Sequence, residues 1–414
     1  MPQAISPEQL ASVLPRGGRV LVQGTTGESL LLAEAAMAAG NALGAMTFTG
    51  VFIPGANRHS YLANGECRLE TFFFTPEIKA APPMQVDFLP LCYNDILVRL
   101  SNIPIDAALF MCTPPDEYDN CSFGPAVDFL AELWPRIPVR IAHINPLMPR
   151  TPGDPGIPYK EITAFVEGDQ AFDTAPDTRE DPAANAIAAH IAPFVPDGAC
   201  LQMGVGKVPG AVLRALTGRR NLRVHSGLIV DEVVDLLEAG ALAQGASVLA
   251  GVAMGSKRLY DAIGGPAFAF RPVSVTHSAS AIAAIPNFIS VNSALEVDLF
   301  GQVHSELDPK GLMSGPGGAP DYARAARLSP GGLRIIALAS NAAKGTISRI
   351  VATGQGAGPV SLGRFDVDVV VTEHGAADLR GLGYDARAAA LIAIAPSDHR
   401  DRLRESWADT SARL

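Results

Sequence analysis

Residues 221–240 read NLRVHSGLIVDEVVDLLEAG. Residues 222–224 are a short apolar run suited to a strand, and from Asp231 onward the apolar residues recur at helical spacing. His225, Ser226 and Gly227 lie between the two, where a strand would turn into a helix. In open α/β sheets such turns, at the carboxyl ends of strands, are where reactive groups are displayed. Here the third residue of the turn is a glycine and offers no side chain to react.

The same alternation runs through most of the chain. RVLVQG precedes ESLLLAEAAMAAG, AALFMC precedes AVDFLAELWP, ACLQMGV precedes GAVLRALTG, and LRIIALAS and VDVVVTEHG follow later. The strands are continuous apolar runs rather than alternating ones, which requires burial on both faces. The expected class is therefore α/β, with largely parallel sheets covered by helices. A chain of 414 residues is long enough for two domains. The acidic, apolar-poor stretch EGDQAFDTAPDTREDPAANA at 167–186 reads as the linker, which predicts domains over 1–175 and 187–414.

Composition narrows the function. Hydrophobic residues make up 48% and charged residues 18% of the chain, so it holds ample material for buried cores. The net charge of −10 argues against nucleic acid as a partner. Five scattered cysteines show no metal-ligand spacing and no disulfide framework, so no metal is expected and a reducing, cytoplasmic setting fits. No apolar run reaches the length of about 18 residues that spans a bilayer, and no signal-peptide pattern opens the N-terminus, so no membrane partner is expected.

Three glycine-bearing loops follow strands. LQMGVGKVPGAVL carries Gly204, Val205 and Gly206 before a helix that Pro209 suits as a first-turn residue. Backbone N–H groups at such a helix start favour a phosphate or a developing oxyanion. A dinucleotide fingerprint is a poor match, because the third glycine comes one place late and no acidic residue stands about 20 residues on. MSGPGGAPDYARAARL places Gly315, Gly317 and Gly318 ahead of a helix beginning near Asp321, and ALASNAAKGTISRIV places Lys344 where it could meet a phosphate. No G-x-S-x-G elbow surrounds Ser226, which argues against a serine hydrolase. Among the carboxylates, Glu28 opens a helix after QGTTG, Glu373 follows a strand, and Glu296 and Asp298 lie in NSALEVDLFGQ. The stretch FIPGANRHSYLANGE reads as a surface loop, although His59 and Tyr61 could reach a carboxylate.

Taken in order, these blocks resemble one family. The segment VDVVVTEHGAADLRGLGYDARAAALIAIAPSDHRDRL resembles the C-terminal signature of the acetyl-CoA hydrolase/transferase family, which includes 4-hydroxybutyrate, acetate and succinate CoA-transferases. VNSALEVDLFGQV with SGPGGAPDYARAA is similar to its central block, and LQMGVGKVPGAVLRAL to its first glycine loop. VDFLPLCYNDI, MCTPPDEYDNCSFGPAVDF and INPLMPRTPGD resemble family blocks in the N-terminal half. The resemblance implies two CoA-transferase-type domains in a homodimer, with coenzyme A and acyl-CoA as substrates. It implies that Gly204, Val205 and Gly206 border the CoA, that Gly317 and Gly318 lie against the thioester carbonyl, and that Lys344 meets the CoA phosphates. It also implies a glutamate nucleophile within a His-[Ser/Thr]-Glu block, a position that Gly227 occupies here. Glu28 is the preferred substitute, because its GES resembles a family Gly-Glu-Pro; Glu66, Glu70 and Glu373 are weaker ones. The expected activity is CoA transfer between a small acyl-CoA and a carboxylic acid. Hydrolysis by a water in the emptied space, or CoA-ester binding without chemistry, are the alternatives.

Overall fold

The computed structural model describes residues 1–172, 181–204, 206–308, 311–342 and 345–414. It divides into two compact units. Unit 1 comprises Met1–Pro176, Gly227–Asp231 and Val248–Thr276; unit 2 comprises Asp177–Ser226, Glu232–Ser247 and His277–Leu414.

Unit 1 is built on a wholly parallel sheet of eight strands: β1 (Gln3–Ala4), β2 (Arg19–Val22), β3 (Thr47–Gly50), β4 (Arg68–Thr71), β5 (Val86–Phe88), β6 (Ala107–Cys112), β7 (Val139–Ile144) and β8 (Ala164–Glu167). Their spatial order is β1-β8-β7-β6-β2-β3-β4-β5, every neighbouring pair running parallel. The central strand β6 is buried at all six positions, as its unbroken apolar run AALFMC requires. Helix α1 (Leu30–Ala39) starts at Ser29, whose hydroxyl accepts from the Leu32 N–H at 3.0 Å and so satisfies one of the unpaired first-turn donors. Helix α2 (Tyr93–Asn102) buries Tyr93, Ile96, Leu97 and Leu100, one face at i, i+3, i+4 and i+7.

Unit 2 carries the second sheet. It uses β9 (Cys200–Met203), β10 (Arg223–Ile229), β13 (Phe288–Ser293), β14 (Leu333–Ala337), β15 (Val369–Thr372) and β16 (Gly375–Asp378) in the order β10-β9-β13-β14-β15-β16. All of these pairs are parallel except the last, a hairpin. The intervening β11 (Val248–Ala253) and β12 (Phe268–Phe270) pair in parallel and belong to unit 1. Among the described residues, the longer helices of unit 2 are α3 (Pro182–Ile191), α4 (Lys207–Ala215), α5 (Glu232–Glu238), α6 (Ala319–Leu328), α7 (Tyr384–Ala393) and α8 (Arg400–Ser411). The α/β class and parallel sheets read from the sequence are those of the structure.

Local boundaries differ from the sequence reading. The strand expected at 222–224 runs as β10 to Ile229, so His225, Ser226 and Gly227 are strand residues and not a turn. A glycine inside a strand costs entropy but does not stop hydrogen bonding, and Leu228 and Ile229 continue the apolar pattern. The unit boundary falls inside this strand, between Ser226 and Gly227. Helix α4 begins at Lys207, two residues before Pro209, whose missing N–H still falls among the unpaired donors of the first turn. Helix α6 begins at Ala319, with Asp321 in its first turn.

Candidate active site

Glu28 was expected to open a helix. Instead Ser29 caps α1, and the Glu28 side chain turns inward, 3% exposed. One carboxyl oxygen accepts from the Asn57 side-chain amide at 3.0 Å, and the other accepts from the Tyr61 hydroxyl at 2.8 Å. The Arg58 backbone N–H donates as well. Burial pushes the Glu28 carboxyl above the usual carboxylate range; the donors and the nearby His59 pull it back only in part.

Asn57 joins the two loops of this site. Its Oδ1 accepts from the Thr25 N–H at 3.0 Å and the Ile53 N–H at 2.7 Å, while its Nδ2 donates to the Thr25 carbonyl and to Glu28. These bonds hold Thr25 at φ 54°. A β-branched residue is rarely found in that left-handed region, which costs of order 1–2 kcal/mol. Tyr61 is likewise left-handed, at φ 58°, with its ring packed between Phe48 and Phe52 at 5.3 and 5.7 Å. Burial, and then the Glu28 charge, hold its phenol protonated and therefore a donor. Two strained residues flanking one buried carboxylate are a pattern that structures keep at functional sites.

The second layer is also polar. Gln170 donates to the Glu28 carbonyl at 2.9 Å and accepts from the Leu30 N–H at 2.9 Å. Ser29 contacts His143 Nδ1 at 2.9 Å, and His143 Nε2 lies 3.0 Å from the Gly168 carbonyl. Burial keeps this imidazole neutral, so Nε2 carries the proton and Nδ1 accepts from Ser29. Gln170 thus packs the start of the expected linker onto the site; residues 173–180 of that linker lie outside the described residues. An open cavity of about 200 Å³ is lined by Thr25, Thr26, Glu28, Arg58, Gln170 and Tyr260, among others.

Gly227 does not line this cavity. Its carbonyl oxygen lies 3.1 Å from where a Cβ on Gly251 would sit, and Thr26 Oγ1 donates to the Ala253 carbonyl at 3.0 Å. Gly227 and Thr26 therefore approach β11 two residues apart, roughly 7 Å at about 3.3 Å per residue. As a strand residue, Gly227 has a backbone that any residue adopts.

The glycine loops belong to unit 2. Gly206 caps α4 at φ 125°, a conformation reserved for glycine, whereas a Cβ on Gly204 would meet only ordinary contacts. Buried beneath them, Gln202, Ser290 and Asn292 hydrogen-bond one another at 2.8–3.2 Å, a network that no sequence motif announced. Gly317 is left-handed at φ 62°. A Cβ on Gly318 would lie 2.6 Å from His277 Nε2, so the close approach of that histidine alone requires glycine there. Burial, with His225 second, lowers the His277 pKa to about 3 and keeps it neutral. Val205 and Lys344 lie outside the described residues.

Apart from Glu66, the other carboxylates singled out in the sequence have structural partners. Glu70 pairs with Arg99 at 2.8 Å, and Glu66 is exposed. Glu373 accepts from the Ser340 N–H and hydroxyl; burial works against its charge, but these bonds bring it below the usual range. Glu296 accepts from the Ala357 N–H, and Asp298 binds Phe300 and Gln302 within its own turn. The FIPGANRHSYLANGE segment is not a surface loop throughout, since Asn57 and Tyr61 are each 1% exposed. Among the described residues there is no metal-competent group of three or more His, Cys, Asp or Glu, and no helix long and apolar enough to cross a membrane.

Comparison with known proteins agrees with this architecture. A family model described as the acetyl-CoA hydrolase/transferase C-terminal domain matches residues 255–407. The chain is 34% identical over 359 residues to a 4-hydroxybutyrate coenzyme A transferase from Clostridium kluyveri, covering 84% of this chain and 82% of that protein. It is 35% identical over 328 residues to a succinyl-CoA:cyclohexane-1-carboxylate CoA transferase from Geobacter metallireducens, covering 77% and 75%. Among solved structures, RipA from Yersinia pestis superposes with a TM-score of 0.92 at 29% identity, covering 99% of this chain and 98% of that one. A third of the residues shared over most of two relatives, and one fold along the whole chain, establish that this protein belongs to the acetyl-CoA hydrolase/transferase family of enzymes.

Proposed function

We propose that this enzyme moves coenzyme A between a small acyl-CoA and a carboxylic acid, with Glu28 in place of a nucleophile that Gly227 does not supply. The observation that carries the reading is the Glu28 carboxyl itself: buried, oriented by three donors, and lining an open cavity. The approach of Gly227 and Thr26 to neighbouring positions of β11 supports a common reaction centre.

The chemistry proceeds in four displacements. A Glu28 oxygen attacks the thioester carbonyl carbon, the C–S bond breaks, and CoA leaves as thiolate from a mixed anhydride. The thiolate attacks the Glu28 carbonyl carbon and expels the first acid as its carboxylate. The acceptor carboxylate attacks the resulting glutamyl thioester and again releases thiolate. That thiolate then takes the acyl group and frees Glu28. Splitting one exchange into these steps is the advantage of covalent catalysis. An oxyanion forms at each tetrahedral stage, and each preorganised donor contributes about 3 kcal/mol.

We assign Gly204, Val205 and Gly206 to the border of the CoA, Gly317 and Gly318 to the thioester carbonyl, and Lys344 to the CoA phosphates. We also assign 1–175 and 187–414 as the two CoA-transferase-type domains along the sequence, although residues 227–231 and 248–276 of the second stretch belong to the first compact unit, and we assign the enzyme to a cytoplasmic homodimer. Five free thiols suit the reducing compartment.

The test is chemical trapping. The protein is incubated with acetyl-CoA, quenched with hydroxylamine or borohydride, and mapped by peptide mass spectrometry. A modified Glu28, lost in Glu28→Gln together with at least a thousandfold of CoA exchange, is expected. Thioester loss without an adduct means hydrolysis. Binding without turnover with any acid refutes catalysis.

A further inference from the structure

Glu28 stands at a joint. Its backbone is extended, at φ −64° and ψ 123°, between the single turn Thr25–Gly27 and helix α1. The direction of its side chain depends on what holds that peptide still. Gln170 spans the joint. Its amide nitrogen donates to the Glu28 carbonyl and its amide oxygen accepts from the Leu30 N–H, both at 2.9 Å. A carbonyl can only accept and an N–H can only donate, so the orientation of this amide is forced. The first N–H groups of a helix lack partners within it, and Gln170 supplies the one for Leu30.

Gln170 is itself held. β8 pairs with β7 as far as Glu167 opposite Ile144. Beyond that rung the side chain of Asn145 continues the pairing. Its Oδ1 accepts from the Gln170 N–H at 3.1 Å, and its Nδ2 donates to the Gln170 carbonyl at 2.7 Å. The same Oδ1 accepts from the Leu147 N–H at 3.0 Å. Asn145 is 0% exposed, so no ligand in the cavity touches it. His143 ties the same two segments a second time, through Ser29 and the Gly168 carbonyl. Two side-chain amides in series thus run from the end of the sheet to the backbone of Glu28.

We propose that Gln170, held by Asn145, is the positioning residue of the Glu28 carboxylate, and that it acts on the rate of attack and not on the binding of acyl-CoA. The proposal rests on the Glu28 reading for the attack and on the hydrogen bonds alone for the hold. A reacting group displaced by about 1 Å loses on the order of a hundredfold in rate. Gln170 also lines the cavity, so a split between kcat and KM separates action through Glu28 from direct contact with the ligand.

The experiment measures CoA exchange from acetyl-CoA to butyrate by the full-length protein. Wild type, Gln170→Met, Asn145→Ser and the double variant are compared, each checked for folding by circular dichroism. Gln170→Met matches glutamine in length and removes both bonds. It is expected to lower kcat about tenfold to a hundredfold and to leave KM for acetyl-CoA within about twofold. Asn145→Ser is expected to lower kcat in the same sense. The double variant should be no slower than Gln170→Met, because the two residues act in one chain. The Glu28 adduct trapped in a single turnover should form more slowly by the same factor. Unchanged kcat, or a raised KM alone, in folded Gln170→Met overturns the proposal. So does a double variant whose two losses multiply. A crystal structure of Gln170→Met separates the hold from the chemistry. A carboxyl that has left Asn57 and Tyr61, in a protein whose wild type forms no adduct at Glu28, upholds the hold by Gln170 and refutes the nucleophile. A carboxyl that stays on both partners overturns the hold, whatever the adduct.

Discussion

Glu28 is under two opposed influences. Burial favours its neutral form, and three donors favour its anion. Tyr61 is the donor that can be removed with least disturbance, because Tyr61→Phe retains the ring that packs on Phe48 and Phe52. A hydrogen bond to a charged group is worth about 1.5–3 kcal/mol and one pKa unit about 1.36 kcal/mol. Loss of this bond destabilises the anion and raises the Glu28 pKa further. The acid limb of the pH–rate profile of Tyr61→Phe is therefore expected about one unit higher than in the wild type, with the rate recovering at alkaline pH. An unmoved limb, measured by CoA exchange from pH 5 to 9, separates Glu28 from the rate-limiting ionisation.

At the scale of elements, the loop after β6 carries a second buried acid. Asp128 accepts from the Tyr93 hydroxyl at 2.9 Å through one oxygen, while its other oxygen has no partner. Burial raises its pKa to about 7. A carboxyl raised in the folded state contributes stability that is fully present below the unfolded value near 4 and is lost as pH rises through 7. Wild-type stability is therefore expected to fall between pH 4 and 7 on this account. Asp128→Asn keeps an acceptor for Tyr93 and removes the titration. Its unfolding free energy, measured by denaturant titration, should match the wild type near pH 4 and exceed it at pH 8, by up to about 4 kcal/mol for a shift of about three units. Parallel pH profiles for the two proteins rule this out.

At the scale of the whole molecule, Glu28 and Gly227 are far apart in sequence, yet both belong to unit 1. β11 is approached by the two segments at Gly251 and Ala253. If both positions serve one centre, either can supply the carboxylate. Gly227→Glu introduced into the inactive Glu28→Gln protein should restore CoA exchange at least tenfold, with the trapped adduct moving to residue 227. An adduct at neither position, in a protein that still folds by circular dichroism, refutes the shared centre.

The sequence by itself determined the α/β class, the parallel sheets and the family, because continuous apolar runs and ordered glycine loops are local patterns. AALFMC identified itself as a doubly buried strand, and DEVVDLLEAG as a helix. Glu28 was singled out from its GES motif, but not for the environment it occupies. Only the tertiary structure decided that Asn57, Tyr61 and Gln170 converge on it, that Gly227 lies within a strand, and that the carboxylates at 70, 296 and 373 are engaged elsewhere. The reason is physical: whether a carboxylate is a nucleophile or a brace depends on desolvation and on donors that arrive from distant loops. Neither leaves a periodic trace along the chain.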